Sequence, residues 1–321
     1  MTSIATAAQA PGLDPRKFQN PDITVKGNRR AGVRLERLRT LWFNTGTLCN
    51  LTCANCYIES SPTNDALVYL RANEVAGFLD QADALGGTEE IGFTGGEPFM
   101  NPEIMAMLED ALSRGYRVLV LTNAMRPMMK CADALLALKD RYGDRLCLRV
   151  SIDHHTRELH ELERGPRAWA PMLKGLRWLS QNGFALNIAG RARWGEAEDK
   201  ARQGYARLLA GEGVTLDCED PAALVLFPEM DEQVDVPEVT VDCWDILGIS
   251  PSSMMCASSR MVVRRKGAEA ASIVACTLLP YDEAFDHGGD LAASHREVKL
   301  NHPHCAKFCV LGGGACSVAA E

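Results

Sequence analysis

Between residues 41 and 227 the chain alternates short apolar runs with segments of helical periodicity, and this alternation limits its fold more than any other feature. Strands are expected at 41–43, 90–94, 117–121, 146–152 and 184–189, with a last one at 214–216 or 224–227. Helices are expected between them. The first starts from Asn73 as N-cap and buries Val75, Phe78, Leu79, Ala82 and Leu85. A second opens at Asn101-Pro102 and stops at Gly115, and others cover 128–139, 168–181 and 196–209. Strands separated by helices of this length pair in parallel through right-handed crossovers. Six such units predict an α/β fold over residues 41–228, a partial (β/α)6 barrel of TIM type in preference to an open sheet, a choice that periodicity alone does not decide.

Two further regions flank this unit. Residues 1–40 are expected to form an N-terminal segment, frayed over its alanine-rich start, with no basic stretch and apolar core of a signal peptide. Residues 229–321 form a Cys-rich extension, in which 260–264 and 272–276 predict a β-hairpin around Lys266-Gly267. The chain has 321 residues and 12 cysteines, six of them in this extension. Without an export signal, clustered cysteines point to metal or redox chemistry in the reducing cytoplasm rather than to disulfides. A net charge of −8 argues against a nucleic-acid surface, and no apolar run is long enough to span a membrane.

The chemistry is concentrated in Cys49-x3-Cys53-x2-Cys56, three thiols on one short loop directly after the first strand. Three thiolates hold three corners of an iron–sulfur cluster and leave one iron open to another ligand. A zinc knuckle is the alternative, but it needs a fourth Cys or His nearby, and the next His is His154. The end of the second strand carries Thr94-Gly95-Gly96-Glu97-Pro98, whose glycines allow close backbone approach and whose carboxylate suits an ammonium group.

Together these two motifs resemble the signature of the radical S-adenosylmethionine (SAM) superfamily. The resemblance implies a 4Fe–4S cluster on Cys49, Cys53 and Cys56, its open iron chelated by SAM. It also implies reductive cleavage of SAM to a 5′-deoxyadenosyl radical that abstracts a substrate hydrogen, with an electron donor such as flavodoxin or ferredoxin. Gly95, Gly96, Glu97 and Pro98 would bind the SAM amino group. Ser151 and Asp153, closing the fourth strand, would lie against its ribose and carboxylate. Asn123, which closes the third strand, Asn187 within the fifth and Arg191 just after it are further cofactor-binding candidates, with Arg191 matched to a carboxylate. The residue before the third cysteine is usually aromatic in this family; here it is Asn55, with Tyr57 one place after and taken as the cofactor-side aromatic. The sequence names no catalytic group. Asp153, His154 and His155 are the titratable candidates near this mouth, with His160 beyond them.

Ser151-Ile152-Asp153, the Arg164-Gly165 pair and the helix after it are similar to the branch of the family with SPASM or twitch extensions. That likeness implies an auxiliary 4Fe–4S cluster held by four of Cys256, Cys276, Cys305, Cys309 and Cys316. A zinc site remains the alternative, with His302 and His304 beside Cys305. Cys131, Cys147 and Cys218 read as small buried residues. The expected function is radical SAM oxidoreductase chemistry on a small metabolite, by oxidation, epimerisation or rearrangement. The alternatives are a maturase of a ribosomal peptide and a non-catalytic iron–sulfur or zinc sensor.

Overall fold

The protein is described by a computed structural model over residues 11–314. Strand β1 (Gly32–Val33) precedes β2 (Thr40–Asn44), which is buried along its whole length. Helix α1 (Ala72–Leu85) follows the cysteine loop. It starts one residue before the expected cap: the Arg71 N–H donates to the Glu74 carboxylate at 2.9 Å, and Glu103 accepts from the Ala72 N–H at 2.7 Å. Then come β3 (Glu90–Thr94), α2 (Ile104–Ser113) and β4 (Arg117–Thr122). The helix expected at 128–139 is divided at Cys131 into α3 (Arg126–Lys130) and α4 (Ala132–Tyr142). Strand β5 (Leu146–Ser151) leads to α5 (Arg157–Arg164), an unexpected helix, and to α6 (Trp169–Gln181). The barrel region ends with β6 (Ala185–Ala192), α7 (Glu198–Gly211) and β7 (Leu224–Pro228), the second of the two positions expected for the last strand.

Strands β2 to β7 pair in parallel and in sequence order, which gives the six-stranded partial barrel. One face of the sheet packs on the helices through residues such as Leu41, Phe43, Val75, Leu79, Leu108 and Leu176. This apolar layer is what the alternating sequence encodes: each helix contributes a stripe, and each central strand is buried on both faces.

The extension contributes α8 (Cys243–Leu247), β8 (Ser259–Val263), β9 (Ser272–Val274) and β10 (Val298–Lys299). Its hairpin is where sequence and structure differ most. It was expected as part of a separate unit, but β8 pairs in parallel with β2, Thr40 opposite Ser259, and extends the barrel sheet to eight strands. The sheet stays open, with β7 at one end and β9 at the other. Trp42 and Leu119 share one buried cluster with Met255, Met261, Leu279 and Phe308, so the extension packs on part of the barrel sheet.

Residues 11–40 belong to the same body. β1 pairs with β10, and buried Arg30 meets Glu238 at 2.5 Å. Glu238 also accepts the N–H groups of Phe18 and Val25 at 2.8 and 2.7 Å. The N-terminal segment is thus stitched to the extension by one fully satisfied carboxylate. No described helix is long and apolar enough to cross a membrane.

Candidate functional site

A cavity of about 150 Å³ opens at the C-terminal ends of the barrel strands, the end where folds of this architecture gather their active-site residues. Cys49, Cys53 and Cys56 line it, together with Tyr57, Gly95, Gly96, Asn123, Ser151, Asp153 and Arg191. The cysteine loop hangs from the end of β2 and is fixed by short backbone bonds. Cys49 N–H donates to Ser61 O at 3.0 Å and Ala54 N–H to Glu163 O at 2.7 Å. The Leu51 and Ser60 N–H groups point at the sulfurs of Cys49 and Cys56, at 3.4 and 3.3 Å.

Burial pushes the Cys49 thiol up to about 12 and the Cys53 thiol up to about 11. Three thiols gathered in a desolvated loop fit a metal cluster, which takes them as thiolates and offsets that cost. The cavity also holds Ser60, whose buried hydroxyl has no protein partner.

Gly95 and Gly96 have a packing role the sequence did not reveal. Gly95 has φ +141°, and a Cβ there would lie 2.5 Å from Gly46 O; one on Gly96 would lie 2.3 Å from Leu48 O. The Gly96 and Glu97 N–H groups donate to those same carbonyls at 2.8 and 3.2 Å. The glycine turn therefore presses directly against the root of the cysteine loop. Side chains would push the two apart.

Glu97 and Pro98 do not line the cavity. Pro98 is buried, and the Glu97 carboxylate turns inward, accepting from Thr122 Oγ1 and Asn123 N–H, both at 2.8 Å, and from Phe99 N–H at 3.3 Å. Burial pushes its pKa up to about 7 in spite of these three bonds. Through these bonds Glu97 ties the β3 turn to the end of β4. Asn123 carries the tie onward, since its Nδ2 donates to Asn50 Oδ1 in the cysteine loop at 3.0 Å.

The far wall is an ion-pair network. Arg164, at the end of α5, forks onto Asp153 at 2.6 and 3.1 Å. Burial alone would raise the Asp153 carboxyl, but the Arg164 guanidinium holds it below the usual carboxylate range. Arg191, expected to be open to a carboxylate ligand, is occupied by Glu163 at 2.7 Å and by Asn55 O at 3.1 Å. Glu163 also receives Arg193 at 2.7 Å and both the N–H and Nδ2 of Asn55 at 2.9 Å. Asn55 thus stands where an aromatic residue was expected because its side chain clasps Glu163.

Glu163, Arg164 and Arg193 were given no role from sequence, although Arg164-Gly165 marked the place. The remaining candidates lie elsewhere. Asn187 is on β6 beside Arg149, outside the cavity lining. His154 and His155 face Glu196, at 3.4 and 3.0 Å, rather than the cavity. The Thr156 N–H donates to His154 Nδ1 at 3.0 Å, so the proton of the neutral ring is on Nε2, directed at Glu196. His160 is buried against Trp169 and pushed down to about 4 by that burial.

A second, narrower cavity of about 20 Å³ lies in the extension, and Cys256, Cys276, Cys305 and Cys309 all line it. Cys305 and Cys309 come from one π-helical turn, Cys305–Val310, whose wide winding brings positions four apart close to one face. The other walls are apolar, from Met254, Leu278, Leu279, Phe285 and Leu300, apart from His304, which meets Glu232 at 2.9 Å. Burial pushes Cys256 up to about 11 and holds Cys305 well above the ordinary thiol value. Cys316 lies outside the described residues. Cys243 is on α8, away from this cavity; Cys131, Cys147 and Cys218 are on or between barrel elements.

Residues 43–190 match the model of the radical SAM superfamily. Among curated proteins, the chain is 33% identical over 144 residues to the antilisterial bacteriocin subtilosin biosynthesis protein AlbA of Bacillus subtilis, covering 44% of this chain and 30% of that one. It is 29% identical over 141 residues to the AdoMet-dependent heme synthase of Methanosarcina barkeri, covering 44% and 38%. Mycofactocin maturase MftC of Mycobacterium ulcerans is 25% identical over 172 residues, covering 52% and 43%. The chain spans less than half the length of the curated relatives it matches. Among solved structures, Streptococcus suis SuiB bound to the precursor peptide SuiA shares the fold, with TM-score 0.60 at 12% identity over 82% of this chain and 66% of that one.

Proposed function

We propose that this chain, which belongs to the radical SAM superfamily through residues 43–190, is a maturase that modifies a ribosomally made peptide. Members of the family are SAM-dependent iron–sulfur enzymes. The single observation that carries the peptide substrate is the 33% identity with a bacteriocin biosynthesis protein, higher than the 29% with a heme synthase. This moves the substrate from the small metabolite expected from sequence to the alternative stated beside it.

Cys49, Cys53 and Cys56 would hold the SAM cluster. Bound there, cluster and SAM supply one-electron cleavage of a carbon–sulfur bond. The chain's own residues supply position and charge. The Gly95-Gly96 turn fixes the height of the cysteine loop, and Asn123 and Ser151 offer hydrogen bonds at the strand ends. The Arg164–Asp153 pair sets a fixed dipole beside the thiols, preorganised by burial. Tyr57, Phe227 and Met230 give the opening an apolar side suited to a peptide side chain. Cys256, Cys276, Cys305 and Cys309 would hold an auxiliary 4Fe–4S cluster. Their apolar, buried setting suits a permanent group better than an exchanging one, and the reduced thiols suit the cytoplasm.

The test uses anaerobically reconstituted, dithionite-reduced protein with SAM and synthetic peptides taken from short reading frames that neighbour its gene. The expected result is a change in peptide mass in step with 5′-deoxyadenosine release. Release with an unchanged peptide returns the reading to a small metabolite. No release under any condition favours a non-catalytic iron–sulfur or zinc protein.

A further inference from the structure

Arg260, the second residue of β8, is fully buried, and its guanidinium meets only carbonyl oxygens. It donates to Cys256 O at 2.7 Å, Ser259 O at 2.8 Å, Ser294 O at 3.0 Å and Arg296 O at 3.5 Å. Among the described residues it forms no ion pair with a carboxylate. Arg30 and Arg202, buried as well, each meet one: Glu238 and Glu198.

The ionisable groups acting on Arg260 are the thiols of Cys256 and Cys276, together with the like charge of Arg296. Its other neighbours are basic as well. Burial, Arg260 and Arg296 push His287 down to about 4, and burial and Arg260 lower His295. Burial also pushes Arg260 itself down to about 10. A buried cation among carbonyls and bases is costly unless a negative charge lies near it.

We propose that Arg260 is the built-in counter-charge of the auxiliary cluster on Cys256, Cys276, Cys305 and Cys309, and that it raises that cluster's reduction potential. This rests on the reading of the extension given above. Four thiolates give a 4Fe–4S cluster a net negative charge, and reduction adds one more electron. A fixed positive charge in a low-dielectric wall favours the reduced form, and charge and hydrogen bonding around the sulfurs are established levers on potential. The hydrogen bond to the Cys256 carbonyl holds the guanidinium against one ligand's own backbone. Arg260 is thus a positioning residue for charge. The rival role is a strut tying β8 to residues 294–296.

The two roles separate in a redox titration followed by EPR on the reconstituted full chain. A C49A/C53A/C56A background leaves the extension's cluster as the signal. R260Q keeps amide donors but loses the charge, whereas R260K keeps the charge but loses the fork. R260Q is expected to lower the reduced-to-oxidised ratio at fixed potential at least tenfold, about 59 mV for one electron. R260K is expected to stay within threefold of the Arg260 protein. Iron uptake by R260K but not by R260Q supports the proposal equally. An unchanged midpoint in R260Q, an equal fall in R260K, or equal loss of iron from both makes Arg260 a strut and overturns it. If the Arg260 protein in this background binds no cluster, the auxiliary-cluster reading itself has failed, and the proposal with it.

Discussion

The two cysteine sites are built from the same parts in opposite ways. At the barrel mouth the three thiols share a cavity with Ser60, Asn123 and Ser151, and the nearby arginine is paired with Asp153. In the extension four thiols face methionine, leucine and phenylalanine, and the nearby arginine has only carbonyls. At the first site the charged lining residues are already paired, Asp153 with Arg164 and Glu163 with Arg191. The second is balanced only when something negative stays.

The strongest challenge is to remove the sites separately. The C49A/C53A/C56A protein is expected to lose about four irons and all 5′-deoxyadenosine formation, while C305A loses the extension's iron and keeps SAM cleavage. Iron analysis and product chromatography report both, and loss of all iron from either variant would make the two sites one. Next in size is Asp153→Asn, which leaves Arg164 buried and uncompensated. It should cost about 3–5 kcal/mol in chemical denaturation. A cost below about 1 kcal/mol would show that the mouth is not balanced by this pair.

Glu97 gives a pH test of the same site. Its folded pKa, about 7, lies above the ordinary 4.5, so the folded protein favours the neutral acid. Its contribution to stability is full below about 4.5 and is lost as the pH rises through about 7, amounting to ~3 kcal/mol. This slope is expected in wild type and absent in Glu97→Gln; equal slopes in the two would assign the titration elsewhere. The smallest effect is at the rim. Lys266→Ala removes an exposed pair between the hairpin turn and Asp65, and should leave the denaturation midpoint unchanged within error; a clear shift would show that the pair matters.

Much of this was legible in the sequence, and the gaps have a common cause. Strand and helix types follow from periodicity, and the two cysteine groups follow from spacing. Which strands pair does not. β8 reads locally as half of a hairpin, and its parallel partner β2 lies more than 200 positions earlier, with no local mark on either. The direction of a side chain at a strand end was equally hidden. Glu97 carries a ligand-binding pattern yet turns inward, because Thr122 and the Asn123 N–H wait behind it. Glu163 escaped notice because the charged run 157–164, where no helix was expected, carries no apolar stripe to mark a buried face. Its burial depends on Asn55, Arg191 and Arg193 arriving from two other segments.

The β2–β8 pairing also has a consequence in time. β2 is the strand from which the cysteine loop hangs, and its second neighbour leaves the ribosome only after a further 215 residues. At roughly 5–20 residues per second this is a wait of roughly ten to forty seconds. Throughout that interval one side of β2 is a bare edge with Leu41, Trp42 and Phe43 at its centre, open to wrong pairing. Metal delivered to the nascent loop would meet a half-built wall, so loading of the first site is best timed after the last strand has docked.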